Sequence, residues 1–329
     1  MKSRFQIQWI TVLIMALMVG GAAWAAPITI DVSCTMKPGG SEEAAIEKFK
    51  EIVERESEGR MSVRILMGGL LGKEKAVLEL MEIGQTQMAL TGGIFRSMFA
   101  NAYDPITIPF YMESWEMIED YLNGPMGKKI GELAEEKGKI IDFGAQKRAP
   151  RHMTANRKIT GPDDIKGLKM RLPSVPVWVD VWKELGAIPR VIPAPEIYLA
   201  MKTGQVEAHE NSLVSPYSRN LWEVQKYIIL TGHVFFPWHW VASKPWFVGL
   251  SPEDQALIRK AVDTARAYGS QVEDEKDAFY AEALKEKGME FITPDVAAIR
   301  EAAMPAIERA VSDLAPAVAE EVARLRNTP

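Results

Sequence analysis

Apolar positions along the chain switch repeatedly between two periods. Ile46, Phe49 and Val53 recur at three- and four-residue spacing, one face of a helix capped by Ser41 and stopped by Gly59. Met61, Val63, Ile65 and Met67 then alternate with polar neighbours, the period of a half-buried strand. A strand over residues 28–34 precedes that helix, and the alternation continues after it. The pattern predicts a helix over 73–83, a strand over 87–91, two helices across 114–137 broken at Gly124-Pro125, and a strand over 139–146. Composition shifts near Ala149-Pro150, and a second set of elements begins. Strands are expected over 151–155, 168–172, 190–192, 206–209, 227–230 and 235–242. Helices are expected over 177–185 and over 195–202, the latter opened by Pro195 and followed by Gly204. Ser251-Pro252-Glu253 starts a helix that runs to Lys287 unless Gly269 bends it, and Pro294 and Pro305 open further helices. Strands alternating with helices predict an α/β fold. A chain of 329 residues exceeds one ordinary core, so about two domains are expected.

The first residues follow a different logic. Lys2 and Arg4 precede an apolar run from Ile10 to Val19, and Ala23-Trp24-Ala25 places small residues at the −3 and −1 positions of a cleavage site. The run is too short to span a bilayer comfortably, so residues 1–25 are read as a cleavable secretion signal. The single cysteine, Cys34, lies beyond the cleavage point, which argues against a lipoprotein and allows no intrachain disulfide. It is expected as a small buried hydrophobe on the first strand.

Charge narrows the function. The formal net charge is −5 with both signs scattered, so no basic tract points to nucleic acid and no basic amphipathic stretch to a membrane surface. An acidic chain that binds an anion must do so through a local site. His152, His209, His233 and His239 lack the close pairing of a zinc motif. Glycine-rich phosphate loops and G-x-S-x-G elbows are missing too. Neither a cofactor nor a metal is expected.

The stretch from Arg151 to Asn211 carries the strongest signal. It reads R-H-M-T-A-N-R-K-I, P-D-D-I-K-G-L-K-M-R-L-P, L-G-A-I-P and P-E-I-Y-L-A-M-K-T-G-Q-V-E-A-H-E-N. G-R-M-S-V-R-I-L-M-G-G-L-L-G lies upstream, from Gly59 to Gly72, and E-V-Q-K-Y-I-I-L-T-G-H downstream, from Glu223 to His233. In order and spacing these segments resemble the periplasmic substrate-binding proteins of TRAP (tripartite, ATP-independent) transporters. The resemblance covers essentially the whole chain after the signal. It implies a periplasmic-binding-protein-like fold of two α/β lobes, with a long helix spanning both. Residues 27–149 plus 237–276 would form one lobe, and 150–236 plus 277–329 the other.

The resemblance also implies site residues. Arg171 matches the arginine that pairs with the ligand carboxylate, a role suited to guanidinium because its planar fork makes two parallel hydrogen bonds. Arg151 matches a second family arginine; Arg148 and Arg157 lie close by, and spacing selects Arg151. Asn211 falls at the family's binding asparagine, where an amide can both donate and accept. Ala208 and His209 replace a usual glycine and glutamine. Gly92 stands where sialic-acid-type members carry glutamate, and its glycine pair suits a close approach of backbone to ligand. Trp178 and Trp238 are candidates for a flat wall against a sugar or aromatic ring.

The resulting expectation is a periplasmic solute receptor, not an enzyme. It would bind a small organic acid, a sugar acid by preference, and deliver it to the membrane subunits of a TRAP permease. A C4-dicarboxylate or 2-oxo acid is the alternative ligand. A lyase acting on a carboxylated sugar, or a ligand sensor for a signalling partner, is the alternative role.

Overall fold

The structure is a computed structural model that describes residues 28–193 and 196–327. The secretion signal read over residues 1–25, and Pro195, lie outside the described residues. Eleven strands are present among the described residues: β1 (Ile28–Ser33), β2 (Met61–Leu66), β3 (Met88–Thr91), β4 (Ile140–Gln146), β5 (Arg151–Ala155), β6 (Lys169–Leu172), β7 (Ile188–Val191), β8 (Ala208–Asn211), β9 (Tyr227–Val234), β10 (Trp238–Ser243) and β11 (Glu290–Ile292). They form two sheets, ordered β2-β1-β3-β10-β4 and β11-β9-β5-β8-β6-β7. The fold is two-lobed α/β, one sheet to each lobe.

Strand β10 ties the lobes together. The chain leaves the first sheet after β4, builds most of the second, and returns through β10 to lie antiparallel between β3 and β4. Every residue of β10 is buried, the mark of a central strand covered on both faces.

The helix Ser41–Glu56 lays Ala45, Ile46, Phe49, Ile52 and Val53 on the first sheet's core. Ser41 is its first helical residue, not its cap, and its hydroxyl donates instead to Glu273 of the long helix. That long helix, Pro252–Glu286, runs unbroken for 35 residues, on the order of 50 Å at the α-helical rise. Its start is well encoded. The Ser251 hydroxyl accepts from the Asp254 amide at 3.1 Å, and Glu253 and Asp254 oppose the dipole's positive end. Gly269 does not bend it. A Cβ there would come within 2.5 Å of Gln146 and 2.7 Å of Ala45, so the glycine allows close helix packing. The far end belongs to the second lobe, where Leu284 clusters with Leu213, Ile228 and Met289.

Two C-terminal expectations change. Pro305 lies inside the helix Val296–Ser312 and does not open one. The buried face of Ile299, Ala303, Ala306 and Ile307 carries the helix through it, and packing outweighs the ~3 kcal/mol helix penalty of proline. The final helix, Pro316–Arg326, packs on the helix Trp115–Asn123 of the first lobe. The tail is therefore not wholly in the second lobe, as the division at 277–329 implied. Ala315 fixes the return by donating to the Ala102 carbonyl at 2.8 Å.

Candidate ligand-binding cleft

The carboxyl ends of β6 and β8 meet the start of β5, because β6 and β8 are parallel and β5 is antiparallel to β8. This brings Arg151, Arg171 and Asn211 to one end of the second sheet. Open α/β sheets bind ligands at the carboxyl ends of their strands. Register separates the two arginines further. Arg171 pairs with His209, and His209 with Thr154, so these three side chains share one sheet face. Glu210, next along β8, points to the opposite face and meets Arg151 there.

Arg151 is largely taken up by protein groups, with four of its five N–H donors bonded. Its Nε donates to Glu210 Oε2 at 2.6 Å, and one terminal nitrogen reaches Glu210 Oε1 at 2.9 Å and the Glu210 carbonyl at 3.0 Å. The other donates to Asn211 Oδ1 at 2.8 Å. His233 Nε2 lies 3.2 Å from Glu210 Oε2, and its Nδ1 lies 2.8 Å from the Thr231 hydroxyl. Burial raises the Glu210 carboxyl, but Arg151 and His233 outweigh it and hold the group at about 2.

Arg171 is placed differently. It is buried, and its Nε donates to the Ile192 carbonyl at 2.8 Å. Among the described residues its two terminal nitrogens have no hydrogen-bond partner. Burial lowers its pKa to about 10, against the pull of Glu210, so it stays cationic at neutral pH.

The tryptophans stack on cations. The Arg151 guanidinium lies 4.8 Å from the Trp178 ring centroid, and Arg148 lies 4.5 Å from that of Trp238. Trp178 Nε1 also donates to the Thr107 carbonyl at 2.7 Å, reaching from the second lobe to the first. Phe236 stands against Trp178 with centroids 6.2 Å apart. A Cβ on Gly92 would meet that phenylalanine at 3.2 Å and Glu74 at 3.3 Å. The Gly92 amide donates to Glu74 at 2.6 Å.

A cavity of about 690 Å³ opens between the lobes. Residues 35–42 and Arg148 form its first-lobe wall, Ser212 and Arg219 its second-lobe wall, and Glu273 of the long helix lines it as well. That volume suits a small organic ligand. None of the six residues singled out in the sequence is in its immediate lining, but two of them touch residues that are. Trp238 lies beneath Arg148, and Asn211 Oδ1 accepts from the Ser212 amide at 3.0 Å. The wall residues Arg148 and Arg219 were not selected from the sequence. For Arg148 the signal was its place three residues before Arg151, on the chain's crossing between lobes; for Arg219 no sequence signal existed.

Comparison with known proteins decides the family. The family model for bacterial extracellular solute-binding proteins, family 7 (DctP), matches residues 32–313. The chain belongs to this family. It is 30% identical over 299 residues to a solute-binding protein of Roseobacter denitrificans, covering 91% of this chain and 92% of that one. The crystal structure of a TRAP periplasmic solute-binding protein from Roseobacter denitrificans, with bound L-galactonate, matches with a TM-score of 0.78 and 30% identity, over 91% of this chain and 99% of that one. A TRAP periplasmic solute-binding protein from Ochrobactrum anthropi, with a C-terminus bound in the ligand-binding pocket, matches with a TM-score of 0.86 and 29% identity, over 91% of this chain and 95% of that one. This DctP-family chain is thus a TRAP solute receptor of an extracytoplasmic family. The family consists of transport proteins that bind small carboxylates, and this sets aside the lyase alternative.

Proposed function

We propose that this receptor binds a sugar acid between its lobes, through Arg171, and presents it to a TRAP permease. One observation carries the reading. Arg171 is buried and pinned by its Nε, yet its terminal nitrogens are unclaimed among the described residues, and Arg219, close enough to act on its charge, lines the inter-lobe cavity. A fork held that way is pre-organised for a carboxylate. The cleft supports a polyhydroxylated ligand, since Arg148 and Lys276 offer donors while Glu42, Glu273 and Asp277 offer acceptors. The Roseobacter relative with bound L-galactonate points the same way. Arg151 takes a supporting role, holding Asn211 and Glu210 and stacking on Trp178. Residues 27–149 and 237–276 form one closing body, with the final helix docked on it, and the rest forms the other; the permease reads the closed form. Secretion follows cleavage after Ala25, which places the receptor in the periplasm.

The test is calorimetry with L-galactonate, D-glucuronate, succinate and pyruvate. A sugar acid should bind most tightly, and Arg171→Ala should lose ~2–5 kcal/mol, the cost of removing one partner of a buried charge pair. Tightest binding of succinate or pyruvate would replace the ligand class. Unchanged affinity in Arg171→Ala would refute the site.

A further inference from the structure

The carboxylate needs more than one cation to be held without repelling the acidic groups of the cleft, and Arg151 already spends four of its five N–H donors on Glu210 and Asn211. Arg219 is the remaining candidate. It follows the short helix Val214–Ser218 and precedes Asn220, whose φ of 55° turns the chain back. It lines the inter-lobe cavity. Among the described residues its side chain makes no ion pair and no hydrogen bond, and its Nε is a buried donor without a partner. Its charge acts on both Arg171 and His209. Arg148 also lines the cavity, but it acts on Arg151, Glu42, Glu273 and Glu74, a different neighbourhood.

His209 is the second, independent observation. It is 0% exposed, shares a sheet face with Arg171 through their register pairing, and among the described residues neither ring nitrogen has a hydrogen-bond partner. Such a ring is costly unless something polar reaches it. Burial, with the neighbouring arginines, keeps it neutral, lowering it to about 3 despite Glu210. A neutral imidazole donates from one nitrogen and accepts at the other. It suits an oxygen next to a carboxylate, such as the C2 hydroxyl of an aldonate.

We propose that Arg219 is a ligand-binding residue that completes a two-arginine grip on the carboxylate with Arg171, and that His209 reads the adjacent hydroxyl. This rests on the sugar-acid reading above. It goes beyond that reading by assigning two further contacts and by specifying a 2-hydroxy acid over a 2-deoxy acid. Two guanidiniums from different elements can bind opposite edges of one carboxylate, while one fork alone satisfies a single edge.

The experiment is titration calorimetry with the aldonates L-galactonate and D-gluconate and their 2-deoxy counterparts, in which the missing hydroxyl is the one next to the carboxylate. It compares wild type with Arg171→Gln, Arg219→Gln, Arg219→Lys and His209→Phe, with the melting of each unliganded variant measured alongside. Arg219→Gln should weaken the 2-hydroxy acids at least tenfold, with melting within a few degrees of wild type. Arg219→Lys should recover part of the loss. His209→Phe should erase the preference for 2-hydroxy over 2-deoxy acids. Wild-type affinity in Arg219→Gln, with binding lost in Arg171→Gln, would overturn the Arg219 assignment and leave the receptor reading standing. Wild-type affinity in Arg171→Gln would overturn both. A 2-hydroxy preference that survives His209→Phe would overturn the role of His209.

Discussion

Glu210 grips Arg151 with both carboxylate oxygens, 2.6 Å from Nε and 2.9 Å from a terminal nitrogen. The pair is nearly sealed from solvent, at 8% and 0% side-chain exposure. Removing one member of a buried pair strands the other, whereas removing both leaves no uncompensated charge. Arg151→Ala should therefore cost ~3–5 kcal/mol of stability in denaturant unfolding. Combining Arg151→Met with Glu210→Met should cost less than Arg151→Ala alone. An Arg151→Ala protein as stable as wild type would show that the pair has no structural role.

Acid should loosen the fold in a defined window. His209 and His152 are both lowered by burial, to about 3 and about 4, against about 6.5 in an unfolded chain. Between those values the unfolded state binds more protons, so stability rises with pH. Their contribution is complete above about pH 6.5 and is lost as pH falls toward 4 and then 3. Glu210, held at about 2, adds a further loss below about pH 4.3. Asp277 works the other way. Burial and Glu273 raise it to about 6, so its stabilising effect is present at low pH and lost as pH rises through that value. Melting temperature should fall on acidification from pH 7 to 4. His209→Gln should flatten that fall, and Asp277→Asn should raise melting above pH 6 but not below 4. A His209→Gln profile parallel to wild type would show that His209 is not held neutral.

How far the sequence reaches can be judged from particular residues. The alternation of periods over Ile46 to Met67 was enough to read helix and strand, because burial of one face is a local pattern. Ser41 misled because glutamate at position 273 competes for its hydroxyl, a contact 232 residues away. Pro305 misled because tertiary packing carried the helix past it. Arg151, Arg171 and Asn211 could be placed together from the order of motifs. That Arg151 is consumed by Glu210 depends on strand alternation across β5 and β8, and the spacing of the motifs does not reveal it. Arg219 gave no signal, since an arginine after Ser-Pro-Tyr-Ser reads as a solvated turn until the fold turns it toward the cleft.

Trp178 links the lobes as well as the site. Its bond to the Thr107 carbonyl crosses between them, and Phe110 from the same first-lobe segment packs 6.2 Å from Trp182 and 5.9 Å from His233. Trp178→Phe keeps an aromatic face for Arg151 but loses the donor. It should lose ~0.5–1.5 kcal/mol of stability, the usual worth of one hydrogen bond. Trp178→Leu should lose more, since the stack goes too. Equal stability of the two variants would show that the ring face contributes nothing.

Trp238 should report on the cleft from beneath. It is 2% exposed and cannot touch a ligand broadly, but Arg148 lies on its face and lines the cavity. A ligand that draws hydrogen bonds from Arg148 changes the charge over the indole. Trp238→Leu should therefore remove part of any ligand-induced fluorescence change. Arg148→Met, which leaves the indole in place, should remove a similar part. The two variants should not be additive, because they act on one stacked pair. Full wild-type quenching in Arg148→Met would assign the signal to Trp178 or another tryptophan and confine Trp238 to the core.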